Sequence, residues 1–312
     1  MHRLYLAKDF IQTEEGLVFA VVAQGLEQGK VLCFLRYVLQ NSGWQKLDTL
    51  SANQLLQAKY PQYLFFSVQK SAHLHAVDVQ SIVMHHQPKQ RLQALLVKNS
   101  QDKVEQDLHA LCHLLQAAGV SLSEIGVTGS LLIGAQNPSS DIDLVVYDRQ
   151  AFHCLRRIIA QLIAADKLQA LDATAWQEAY HRRQCDLSYT DYVWHEQRKY
   201  NKALINGRKF DLNLVVVEPT ESERNYVKQG ASVIQAVVIE AQYAFDYPAR
   251  FLVKHHTVTE VICYTATYTG QAESGELIEV AGQMEVASTG QVRMLVGSSR
   301  EAVGEYIKVL TQ

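Results

Sequence analysis

The sequence has little of what marks membrane or secreted proteins. No apolar run in its 312 residues approaches the roughly 18 needed for a bilayer-spanning helix, and the N-terminal segment lacks the apolar core of a signal peptide. The five cysteines are odd in number and scattered, without a C-x-x-C pair, which fits reduced thiols better than a disulfide framework. We therefore expect a cytoplasmic protein with no membrane partner.

An excess of one charge is also missing, because the formal net charge is −3. That value is too close to neutral to indicate a nucleic-acid binder from bulk electrostatics. The hydrophobic fraction of 48% excludes a disordered or fibrous chain, and the length allows two or three domains. A polar seam at 98–102 and the strand-ending pair Glu218-Pro219 suggest the boundaries. The predicted domains are 1–100, 101–219 and 220–312.

Hydrophobic periodicity and turn residues predict the main elements. Strands near 17–24 and 31–39 form a pair across a glycine-bounded turn, and an amphipathic helix begins near Val104 and stops at Gly119. Asn206-Gly207 predicts a type I′ hairpin, since both residues tolerate positive φ. The C-terminal range is predicted to be mostly β, with a last helix that starts at Ser298 and has Arg300 and Glu301 in its first turn.

The segment from Gly129 to Val146 carries the strongest chemical signal. Gly129 and Ser130 follow a short apolar strand, and their small size lets backbone amides and a hydroxyl approach a polyanion closely. Eleven residues beyond Ser130 the chain continues as Asp141-Ile142-Asp143. On a strand, residues two apart share a face, so both carboxylates should point the same way.

Two adjacent carboxylates repel each other unless a cation lies between them. Magnesium is the expected ion, because it takes one or two protein carboxylates and completes its shell with phosphate oxygens and water. Asp211 lies between apolar residues on a later strand that we expect beside the first pair. Asp141, Asp143 and Asp211 are therefore the predicted metal ligands and catalytic residues.

The ordered set of Gly129-Ser130, the Asp141-x-Asp143 pair and the later strand with Asp211 resembles the nucleotidyltransferase superfamily of DNA polymerase β. The likeness covers about residues 120–217 and is closest to archaeal-type predicted stand-alone nucleotidyltransferases. It implies a small mixed sheet backed by helices for the central domain. The predicted fold is therefore α/β (α+β), and the sequence patterns on either side predict an N-terminal α/β and a C-terminal β-rich accessory domain. The resemblance also implies two magnesium ions, for which manganese could substitute, and an NTP donor.

A basic run from Arg198 to Lys209 precedes Asp211. Two interpretations are open: its cations could neutralise phosphate, or they lie on a solvated helix end and hairpin rim. We predict that Arg198 and Lys199 bind the nucleotide, because stabilising a leaving pyrophosphate needs fixed cations.

The resulting functional prediction is transfer of a nucleoside monophosphate from an NTP to a hydroxyl of RNA, protein or a small molecule, with release of pyrophosphate. One alternative is protein nucleotidylation of the toxin-control type. Another is a non-catalytic nucleotide or RNA sensor that uses the same fold. The sequence selects neither the base nor the acceptor.

Overall fold

The structure is a computed structural model that describes residues 4–68, 72–217, 226–299 and 302–310. These residues form three sheets and seven α-helices, which confirms the predicted α/β class. They divide into two compact units, one within Met1–Ile158 and Leu204–Val217 and the other within Ile159–Ala203 and Glu218–Gln312. The predicted boundary at Glu218-Pro219 lies outside the described residues, and the three-domain division stays a prediction.

The first unit begins with a seven-stranded antiparallel sheet in which the order is β5-β6-β3-β2-β1-β7 and β4 pairs with β3. The predicted strand pair across the glycine-bounded turn is confirmed by β2 and β3. The strands are β1 (Phe10–Gln12), β2 (Leu17–Val21), β3 (Lys30–Gln40), β4 (Gly43–Lys46), β5 (Leu64–Ser67), β6 (Ala72–Asp78) and β7 (Met84–His86).

Both faces of this sheet are covered, since alternate residues of its strands point to opposite sides. Ile11, Leu17 and Phe19 belong to the core that also contains residues of helix α1 (Thr49–Lys59). Phe10, Val18 and Tyr37 form a second cluster with Leu132, which follows the predicted phosphate-binding segment. The N-terminal sheet is thus packed against the region that carries the candidate site.

Two helices follow the sheet, α2 (Pro88–Leu96) and α3 (Lys103–Ala117). The Asp102 side chain accepts hydrogen bonds from the amides of Val104 and Glu105 at 2.8 and 3.0 Å, and Gly119 takes a φ of 87° just after the helix. The predicted helix and its glycine stop are therefore confirmed.

A four-stranded sheet with the order β10-β11-β9-β8 follows, and the division between the two units falls within β10 and within the helix that follows β9. Strand β11 runs parallel to β9, and β8 runs antiparallel to it. Asn206 and Gly207 have φ values of 51° and 76°, which confirms the predicted hairpin between β10 and β11. The elements are β8 (Ile125–Thr128), α4 (Ser130–Ile133), β9 (Ile142–Val146), α5 (Arg149–Ala164), β10 (Lys202–Ile205) and β11 (Arg208–Leu214).

The second unit contains two complete helices and, in the described residues from 226 onwards, a sheet, which confirms the mostly β character predicted for residues 220–312. Its six-stranded sheet has the order β12-β13-β14-β16-β15-β17. The elements are α6 (Ala173–Arg183), α7 (Tyr189–Arg198), β12 (Tyr226–Glu240), β13 (Ala249–Lys254), β14 (Val258–Cys263), β15 (Leu277–Ala287), β16 (Val292–Val296) and β17 (Tyr306–Val309).

The helix predicted from Ser298 is wrong where the structure can test it, because Tyr306–Val309 is a strand paired with β15. Arg300 and Glu301 lie outside the described residues. The Glu305 carboxylate accepts hydrogen bonds from the amides of Gly297 and Ser298 at 2.7 and 2.9 Å. The amides of Gly297 and Ser298, which a helix start would leave free, are therefore bound by a carboxylate.

Candidate active site

The three predicted carboxylates lie on one face of the four-stranded sheet. Asp143 on β9 is directly opposite Asp211 on β11 in the parallel register, and paired residues share a face. Asp141 precedes Asp143 by two residues and therefore takes the same side. On the other face, Ile142, Leu144, Phe210 and Leu212 are buried in the core. The apolar residues between the carboxylates fix which way the acidic side chains point.

Burial and neighbouring negative charges both oppose ionisation of the central carboxyl in this cluster. Burial raises the pKa of the Asp143 carboxyl, and the charges of Asp211 and Asp141 raise it further. Lys209 precedes Asp211 by two residues on β11, and its Nζ lies 3.2 Å from an oxygen of Asp141 and 3.2 Å from an oxygen of Asp211. Burial opposes the charged form of Lys209, but the charges of Asp211 and Asp141 outweigh it and raise the pKa of the lysine. One ammonium therefore bridges two of the three carboxylates.

The residues fit a divalent cation by their chemistry, although they are not arranged as a preformed metal site. In the described part of the chain, no three His, Cys, Asp or Glu side chains converge as ligands of one ion. Asp211 Oδ1 is nevertheless buried and has no hydrogen-bond partner among the described residues. A buried carboxylate oxygen without a partner is costly, and a bound cation would satisfy it. That cation would compete with the Lys209 ammonium for Asp141 and Asp211.

Gly129 brings the backbone against this cluster. It follows β8 with a φ of 66° and a ψ of −144°, a conformation that is essentially restricted to glycine. A Cβ atom at this position would lie 2.3 Å from Asp143 Oδ2, so only glycine leaves room for the carboxylate. Ser130 starts α4, whose next residues Leu131 and Leu132 are buried. The predicted phosphate-binding pair and the predicted metal ligands are therefore neighbours.

The loop before Asp141 is held by residues that sequence reasoning did not assign to the site. Arg208 donates from Nη1 to the carbonyls of Pro138 at 3.0 Å and Ser140 at 2.6 Å, and from Nε to Asp107 at 2.8 Å. Asp107 is buried on α3 and also accepts a hydrogen bond from the Asn206 side chain at 3.0 Å. Asp107 lies on the apolar side of an amphipathic helix, and a carboxylate in such a position indicates a buried cationic partner. This position is the sequence feature from which the pairing could have been anticipated.

Arg198 and Lys199 belong to the second unit, where both charges are already engaged. Arg198 lies 2.6 Å from a carboxylate oxygen of Glu276 and stacks over the Trp194 ring. Lys199 is buried, pairs with Glu196, and donates to the Thr267 carbonyl at 3.0 Å. Burial lowers the pKa of Lys199 to about 8 although Glu196 opposes the shift. Their contact with nucleotide phosphate stays a prediction, and phosphate would have to compete with these carboxylates.

The fold and the site together define a mixed α/β protein with a carboxylate cluster facing a glycine-bounded turn. The chain is 31% identical over 333 residues to the uncharacterized protein MJ1086 of Methanocaldococcus jannaschii, an alignment that spans 97% of this chain and 98% of that protein. It belongs to the same family as that protein. No family model matches the chain, and no solved structure matches it significantly. In the described ranges, no helix has both the length and the apolar character needed to cross a membrane.

Proposed function

We propose that this protein is a metal-dependent nucleotidyltransferase that moves a nucleoside monophosphate from an NTP to an acceptor hydroxyl. A bond forms between the acceptor oxygen and the α-phosphorus, and the bond from that phosphorus to pyrophosphate breaks. The observation that carries the proposal is the placement of Asp141, Asp143 and Asp211 on one sheet face beside Gly129. A carboxylate cluster beside a closely approachable backbone suits a cation-bound polyphosphate.

Each residue has a distinct role in this proposal. Asp141, Asp143 and Asp211 would hold magnesium, which when bound polarises the phosphoryl oxygens and lowers the pKa of the attacking hydroxyl. Gly129 and Ser130 would donate backbone and hydroxyl hydrogen bonds to the phosphates. Lys209, freed from the carboxylates by the cation, would lie beside the negative charge that develops on the transferred group.

The decisive variant is Asp211→Asn, measured for both NTP affinity and pyrophosphate release. Asp211 reaches the cluster from a different strand than the other two carboxylates, so we assign it to the ion on the acceptor side. Its loss should abolish transfer while NTP affinity stays within about tenfold, or about 1.4 kcal/mol. Loss of binding together with rate would instead assign Asp211 to the nucleotide-bound ion.

Asp148→Asn is the matched control, because it also removes one carboxylate near the end of β9. The Asp148 side chain accepts a hydrogen bond from the Ala151 amide at 2.7 Å, and asparagine preserves such an N-terminal cap. This variant should transfer at the wild-type rate. Equal rates for Asp211→Asn and wild type would contradict the proposed catalytic role of Asp211.

The acceptor class is tested by incubating the full chain with each α-labelled NTP, magnesium or manganese, and cellular RNA or lysate. Label on RNA, on protein or on a small molecule identifies the acceptor. Metal-dependent NTP binding without any label transfer or pyrophosphate would support the nucleotide-sensor alternative. Equal NTP affinity with and without metal would contradict the metal-dependent site.

A further inference from the structure

A strained turn in the N-terminal part holds Lys8. The Asp9 amide donates to the Leu6 carbonyl at 3.1 Å, and the Leu6 amide donates to the Asp9 carboxylate at 3.1 Å. Lys8 takes a φ of 75°, a left-handed conformation that costs a residue with a Cβ about 1–2 kcal/mol relative to glycine. Glycine would therefore suit this backbone position, so the lysine side chain can be removed without straining the turn.

Lys8 is attached to the sheet that carries the carboxylates. The Thr128 hydroxyl donates to the Lys8 carbonyl at 2.7 Å, and the Lys8 amide donates to Val21 in the N-terminal sheet at 3.0 Å. Thr128 is directly opposite Asp143 in the antiparallel register and directly precedes Gly129. Paired residues share a face, so the Thr128 hydroxyl and the Lys8 backbone lie on the carboxylate side of the sheet.

The charges agree with this placement. Burial and Asp211 raise the pKa of Asp143, and the positive charge of Lys8 opposes that rise. The pKa of Tyr37, also from the N-terminal sheet, is raised by burial and by the charge of Asp143. Lys8, in the turn before β1, and Tyr37, on β3, are thus both electrostatically coupled to Asp143.

We infer that Lys8 is a nucleotide-binding residue, which binds the triphosphate of an NTP held at Gly129 and Ser130. The inference rests on the proposed nucleotidyl transfer. Three carboxylates and a triphosphate carry more negative charge than two divalent ions neutralise, and Lys209 offsets only part of the difference. The Lys8 backbone is held next to the same glycine turn through Thr128, and its side chain would supply a second ammonium there. In this assignment the N-terminal sheet is a part of the active site.

The test is Lys8→Gly in the full chain, because glycine removes the side chain and suits the left-handed backbone. The unfolding free energy of the variant should equal or exceed that of the wild type. Calorimetry in magnesium should show at least a tenfold loss of affinity for whichever of ATP, GTP, CTP and UTP the wild type binds. Affinity for the corresponding monophosphate should change much less. Lys8→Arg should keep NTP affinity within about threefold, because it keeps the charge.

Gln28→Gly is the matched control. Gln28 also has a left-handed backbone, with a φ of 52°, in the turn between β2 and β3, and its replacement should leave NTP affinity unchanged. Wild-type NTP affinity in Lys8→Gly would overturn the role of Lys8 and leave the proposed function standing. Absence of NTP binding by the wild type would overturn both.

Discussion

Gly129→Ala should damage the site and the fold together, for reasons that separate it from an ordinary glycine substitution. The backbone at Gly129 has a φ of 66° and a ψ of −144°, and strain of this kind costs of the order of 1–3 kcal/mol. The added Cβ would also lie 2.3 Å from Asp143 Oδ2, so the carboxylate must leave its rotamer, at about 0.5–1.5 kcal/mol. We expect a total loss of about 1.5–4.5 kcal/mol in unfolding free energy.

Gly134→Ala is the control for this prediction. Gly134 lies at the other end of α4 with a φ of 68°, and a Cβ there would meet only an Arg91 side-chain nitrogen at 3.7 Å. It should cost about 1–2 kcal/mol from the left-handed backbone alone. Its magnesium-dependent NTP affinity should stay within about twofold, whereas Gly129→Ala should lose at least tenfold.

The assays are urea unfolding of the metal-free protein and calorimetry with NTP and magnesium. A further variant separates backbone strain from the collision. Gly129→Ala combined with Asp143→Ala should cost about 0.5–1.5 kcal/mol less than the sum of the single variants, because the colliding oxygen is gone. Equal stability and equal NTP affinity for Gly129→Ala and Gly134→Ala would refute the reasoning. Additive costs in the double variant would refute the collision with Asp143.

Three other predictions concern the charges around the site. Lys209→Met should lower the unfolding free energy of the metal-free protein and raise its magnesium affinity by about tenfold, because the ammonium that bridges Asp141 and Asp211 is gone. Magnesium affinity is measured by calorimetry without nucleotide, and weaker binding by the variant would contradict this prediction. Asp107→Asn should lower the unfolding free energy by about 3 kcal/mol in urea unfolding, since Arg208 loses its buried partner. It should also lower turnover more than NTP affinity, because Arg208 then holds the loop before Asp141 less firmly. The pKa of Asp143 is raised above 3.8 in the folded state, so the folded protein keeps this proton at pH values where the unfolded chain has released it. The unfolding free energy of the metal-free protein should therefore fall as the pH rises from 3.8 through the folded pKa. Unfolding midpoints measured against pH should show this fall in the wild type and a flatter profile in Asp143→Asn.

The sequence predicted best where local chemistry determines the structure. Asn206 and Gly207 form the expected hairpin, because few other residue pairs accept positive φ twice. The alternation around Asp143 and Asp211 likewise gave the correct face for the carboxylates, since neighbouring apolar residues must be buried. These inferences needed only a few adjacent residues.

The sequence predicted least where contacts between distant residues determine the structure. Glu305 binds the amides of Gly297 and Ser298, and no local pattern distinguishes that arrangement from a capped helix. The phosphate contact predicted for Arg198 stays a prediction, but its pairing with Glu276, 78 positions along the chain, could not be inferred from the local sequence. The attachment of Lys8 to Thr128 joins residues 120 positions apart and could not be read from either segment alone.

The first unit is discontinuous in sequence, and this has a consequence for biosynthesis. The second segment of this unit, residues 204–217, is synthesised only after residues 159–203, which belong to the other unit. At about 5–20 residues per second, a ribosome leaves the nascent sheet without β11 for roughly several seconds. During that interval β9 has an open edge, and the buried carboxylate of Asp107 lacks the Arg208 side chain that it pairs with in the finished protein. Asp141 and Asp143 are thus made well before Asp211. A chain interrupted before residue 204 would carry the glycine turn and these two carboxylates on a sheet whose open edge is prone to aggregation.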